Sequence, residues 1–144
     1  MICSRVVVSC VLVSLVATAT EYETFSAVVV PAGYRAEPQR GPDFIVTSYY
    51  APAAKAPVLS VYEGTAPSFP SFCKTEAKPK QEKHDGIMES TVRTSGVAGL
   101  CRESLLQIRG RGEVRHVWYR GLSRQDAKLA DSIISRIRMV TVKE

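Results

Sequence analysis

Hydrophobic residues are arranged in three ways along this chain of 144 residues, and each arrangement predicts a different kind of segment. Val6 to Val16 is an almost unbroken apolar run. Between Glu23 and Arg120 the apolar positions come in short β-branched or alternating stretches broken by proline, glycine and charge, as strands do. From Ser123 onward they return at helical spacing.

The strand-like stretches begin with Glu23 to Val30, stopped by Pro31-Ala32-Gly33. Tyr34 to Pro42 carries two prolines and a glycine and reads as a loop. Asp43 to Tyr50 and Val58 to Tyr62 read as the second and third strands, joined by the proline-rich Ala51 to Pro57. Glu63 to Phe72 has two prolines and two phenylalanines and is expected to be an ordered loop. Lys74 to Asp85 has no strongly apolar side chain and reads as a solvated, lysine-rich loop. Ile87 to Thr94, Gly99 to Ile108 and Glu113 to Arg120, separated by glycine-containing turns, read as an antiparallel meander. In the last of these, Val114, His116 and Trp118 share one face and Arg115, Val117 and Tyr119 the other.

The terminal helix has Ser123 as its cap, Asp126 three residues on, and an apolar stripe of Ala127, Ala130, Ile133, Ile134 and Ile137. Arg136 and Arg138 suit the negative pole of its dipole. Together these segments predict an α+β domain, with a largely antiparallel central sheet of about six strands covered by helix, the C-terminal helix included.

The first apolar run changes the picture of the chain's ends. Arg5, the run of 11 residues and Ala17-Thr18-Ala19 have the form of a secretory signal, which makes 1–19 the expected export signal and 20–144 a single domain. Eleven residues are too few for the ~20 that a membrane-spanning helix needs. Val7-Val8-Ser9-Cys10 has the look of a lipoprotein site, but only Arg5 to Val8 would precede it, too short for an apolar core of the signal. Lipidation at Cys10 would require a start codon further upstream.

Charge is uneven: residues 20–85 carry seven Lys/Arg against eight Asp/Glu, and residues 86–144 carry eleven against six. A polyanion or acidic surface is one use for this; arginines solvating the outside of a sheet is the other, favoured because the charges alternate with apolar residues. Past the signal only Cys73 and Cys101 remain, and an even pair in an exported chain favours a disulfide over a reactive or metal-bound thiol. By loop entropy the bond stabilises the fold by about 3.5 kcal/mol.

Catalytic constellations are poorly represented. There is no GxSxG elbow, no HExxH and no glycine-rich phosphate loop, and the only histidines are His84 and His116. No catalytic residue, metal site or cofactor is expected. The aromatic residues carry the alternative: Tyr50, Tyr62, Phe69 and Phe72 are the candidate ligand-binding set, if they gather round a groove and do not simply fill a second core layer.

The stretches PAGYRAEPQRGPDFIVTSYY, VLSVYEGTAPSFP and VWYRGLSRQDAKLADSIISRIRMV resemble small exported bacterial proteins of uncharacterised function. More distantly, they are similar to PsbP- and Mog1-type domains, through Pro31-Ala32-Gly33-Tyr34, Gly41-Pro42-Asp43-Phe44, Val61-Tyr62-Glu63-Gly64 and the closing Ile133, Ile134 and Val140. The resemblance implies a helix-covered sandwich used as a non-catalytic accessory or binding module. The expected protein is thus secreted or periplasmic, without a membrane anchor once the signal is removed. It would contact an envelope protein or a small apolar ligand, and not nucleic acid. The rival expectation is a small secreted hydrolase with a site near His116.

Overall fold

The computed structural model describes residues 20–144, so the expected signal at 1–19, with Cys10, lies outside the described residues. The described chain forms, in order, β1 (Glu21–Phe25), β2 (Arg35–Arg40), β3 (Ile45–Tyr50), β4 (Leu59–Gly64), β5 (Lys80–His84), β6 (Ile87–Gly96), β7 (Gly99–Ile108), β8 (Val114–Leu122), α1 (Arg124–Ser135) and β9 (Met139–Lys143). Seven strands make one antiparallel sheet in the order β2-β3-β4-β8-β7-β6-β5, and β1 pairs with β9 in a separate two-stranded ribbon.

This corrects the expected fold class. The protein is predominantly β, with nine strands in two antiparallel sheets and one 12-residue helix among the described residues, and it is not a helix-covered α+β sandwich. The two strands that enlarge the main sheet, β2 and β5, are those without apolar alternation. β2 lies in the segment read as a loop, and β5 lies in the lysine-rich segment 74–85; both are edge strands, and every residue of β2 is exposed. An edge strand has one open side and tolerates proline and charge, so Pro38 can stand opposite Thr47. β9 lies beyond the helix, where no strand was expected, and β1 ends at Phe25 because its only partner is β9.

Strand register sorts the sheet's side chains onto two faces. Leu59, Val61, Val117, Tyr119, Leu106 and Ile108 share the face on which α1 lies, and with Ala127, Ala130, Ile133, Ile134 and Ile137 they form the main core. Ser123 caps the helix as expected, its Oγ accepting from the Asp126 N–H at 3.1 Å. A bulge between Leu100 and Arg102 of β7 sets two β8 residues, Arg120 and Gly121, against Cys101. It returns Leu122 to the helix face, where it packs against the core. Glycine is required there: a Cβ on Gly99 would lie 2.7 Å from the Gly121 carbonyl carbon, and both residues have positive φ.

Candidate functional site

The opposite face of the sheet is covered only in part, by the segment that follows β4. On β7, Cys101 and Glu103 both point to this face, and each holds that segment. Cys73 and Cys101 form a disulfide with a Cα–Cα distance of 5.6 Å. Glu103 is fully buried, and its carboxylate accepts the backbone N–H groups of Ser71 (2.8 Å), Phe72 (2.9 Å) and Cys73 (2.6 Å). A buried carboxylate is costly unless its lone pairs are filled, and here the loop backbone fills them. His116 Nε2 lies 3.1 Å from Glu103 Oε1 and supplies a further donor.

Fixed in this way, Phe69 and Phe72 stand over β8. Phe72 stacks on Trp118 with ring centroids 4.6 Å apart and lies 5.9 Å from His116, while Phe69 meets the imidazole edge-on at 5.6 Å. His116 is buried, and that burial is what pulls the imidazole below its usual range, against the opposing pull of Glu103. Phe69, Phe72 and Trp118 are each half-buried, and the Arg120 guanidinium lies 5.7 Å over Phe72.

Of the four expected ligand-binding residues, the structure brings Phe69 and Phe72 together. Tyr62 is opposite His116 in the β4–β8 register but stacks on Phe44, and its Oη accepts from Ala66 N. Tyr50 stands apart on β3 beneath Arg35, whose Cζ lies 4.6 Å from the ring centre. Trp118 and Glu103 belong to the site and were not singled out as site residues. Trp118 gave a signal, since it alternates with His116; Glu103 gave only that of a carboxylate within an otherwise strand-like stretch. His84 lies not in a solvated loop but at the end of β5, with Nε2 3.0 Å from Glu89 Oε2.

The rival site near His116 has a carboxylate and a hydroxyl close by, in an order unlike that of a nucleophilic triad. Ser71 Oγ is 3.4 Å from Glu103 Oε1, so the carboxylate stands between serine and imidazole. The histidine Nε2 that would take a nucleophile's proton faces Glu103 instead. No cluster of three or more His, Cys, Asp or Glu side chains suited to a metal occurs among the described residues.

On the helix face, charged groups cross from sheet to helix. Arg102 donates to Glu89 (2.6 Å), Asp131 (2.7 Å) and Ser104 (3.0 Å). Burial alone would raise the Glu89 carboxyl; hydrogen bonds from Ser104, Arg102 and Thr91 and the Arg102 charge outweigh it and hold it at about 2. Asp131 is lowered in the same way by Arg102 and Arg93.

Compared with protein-family models, curated proteins and solved structures, the chain matches none. Among the described residues no helix is long and apolar enough to cross a membrane, and the disulfide is compatible with an oxidising, extracellular setting.

Proposed function

We propose that this is an exported, non-catalytic binding protein of the bacterial envelope, which captures a partner protein on the aromatic face of its sheet. The observation that carries the reading is the double hold on residues 71–73, by Glu103 and by the disulfide. It presents Phe72 and Trp118 as a stacked, half-exposed pair beside Arg120. Pre-ordered aromatic rings flanked by arginine lose little entropy on contact and are the side chains that dominate binding energy at protein interfaces. A small apolar ligand held by the same rings is the narrower form of this reading. The test compares wild type with Phe72→Ala and Arg120→Glu for capture from envelope extract, with thermal melts beside it. Capture should fall sharply while the fold persists; capture that survives both changes sinks the reading. Hydrolytic turnover that disappears in His116→Ala would overturn it in favour of an enzyme.

A further inference from the structure

The aromatic platform leaves the helix face unused, and there a cavity of about 430 Å³ opens between α1 and the β6–β7 hairpin. Arg93, Arg124 and Lys128 line it. Its apolar wall is made by Leu100, Ala127 and the ring of Tyr119. The one carboxylate lining it, Asp131, is already spent: Oδ1 accepts from Arg102 and Tyr119, and Oδ2 from Arg93. Arg124 and Lys128 have no ion-pair partner among the described residues.

The fold itself disfavours these two cations. Arg124 opens α1, at the positive end of its dipole, and Lys128 follows at i+4, where like charges repel. The favourable end of the helix is served instead by Arg136, its C-cap, and by Arg138, which donates to the Ser135 carbonyl. Arg93 is already matched by Asp131, so Arg124 and Lys128 are the two cations on the rim of an apolar wall that an anion would offset.

We propose that this cavity binds a small amphiphilic anion, an acidic head group on a short apolar body: the head sits among Arg93, Arg124 and Lys128, and the body lies against Leu100 and Ala127. The cavity reaches Cys101 at the bulge, but none of Phe69, Phe72, Trp118 or Arg120 lines it, so it does not depend on the partner surface.

Octanoate is the probe, with inorganic phosphate at matched ionic strength as the head group without a body. Octanoate should raise the melting temperature in a saturable way and shift the amide resonances of Thr94 to Leu100 and Arg124 to Lys128; phosphate should do less. Arg124→Gln with Lys128→Gln should melt slightly higher than wild type without ligand, yet lose octanoate affinity by about tenfold or more. The control pair Arg109→Gln with Arg111→Gln, away from the cavity, should keep the response. Co-sedimentation with phosphatidylglycerol vesicles, lost in the same Arg124/Lys128 variant, would assign the head group to a lipid at a surface; response to octanoate without it assigns a free carboxylate. No response to either, or an undiminished response in the Arg124/Lys128 variant, overturns the proposal.

Discussion

The Glu103 carboxylate accepts the Cys73 N–H at 2.6 Å, so the residue that closes the disulfide to Cys101 is also gripped by the next side chain on the same face of β7. Removing the carboxylate should strand three loop amides that no other group serves. Glu103→Ala is expected to cost about 3–5 kcal/mol, the range for deleting one partner of a buried charged set. Glu103→Gln, which sets an NH₂ donor among donors, should cost about 1–3 kcal/mol. Urea unfolding gives the energies, and amide exchange should localise the loss of protection to Ser71, Phe72 and Cys73. Unchanged exchange there would mean that the carboxylate does not hold the loop.

The disulfide and the carboxylate act on one segment, so their effects should not add. Thiol titration of the unreduced, denatured protein should find neither Cys73 nor Cys101 free. Replacing both by alanine should cost about 3–4 kcal/mol. In that background Glu103→Ala should cost less than it does alone, because a loop no longer tethered can turn its amides to water. A double-mutant cycle measures the difference, and strict additivity would separate the two devices.

How much of this was legible follows from which strands show a pattern. β3, β4, β6, β7 and β8 are flanked on both sides in the sheet, set buried or half-buried apolar side chains on the helix face, and could be read from their apolar spacing. β2 and β5 close the edges with Arg35-Ala36-Glu37-Pro38 and Lys80-Gln81-Glu82-Lys83, which have no such pattern, so the sheet came out too small. The helix was legible from its cap and its stripe because both signals are local. The hold of Glu103 on residues 71–73 was not, since it spans about thirty residues of chain and no spacing rule links a strand carboxylate to a distant loop. Phe69 and Phe72 were recognised as aromatic residues in a stiff loop, but their partner Trp118 comes to them only through the β4–β8 crossover.

Docking of α1 makes a sharper prediction. Ile134 is buried in the main core, while Gln125 is exposed beside the helix start. Ile134→Asp should bury an unpaired carboxylate and cost several kcal/mol, enough to unfold a domain of this size. Ile134→Ala should cost about 2–5 kcal/mol by cavity formation. Gln125→Asp should be neutral or slightly stabilising, through the helix dipole. Melting curves that rank the three otherwise would mean that the helix does not cover the sheet as described.

Acid should weaken the protein in two separate windows, because two buried groups resist protonation at different pH. Burial holds the His116 imidazole below its usual range, so the unfolded chain takes up a proton near pH ~6.5 that the native state still refuses. The unfolded state then binds more protons, and stability falls as pH drops below that value. Glu89 acts lower down: its carboxyl, held at about 2 mainly by Ser104, Arg102 and Thr91 against the effect of burial, is protonated in the unfolded chain first. Its contribution is whole above the ordinary carboxylate range and is lost as pH falls toward about 2; partial solvent access reduces it to roughly 2–3 kcal/mol. Asp131, lowered by Arg102 and Arg93 against burial, adds to this lower step. Urea midpoints across the range from about pH 8 to pH 2.5 should therefore show two declines. His116→Gln should flatten the upper one and leave the lower, and Glu89→Gln should shrink the lower one and leave the upper. A single decline that neither substitution alters would place the acid sensitivity elsewhere.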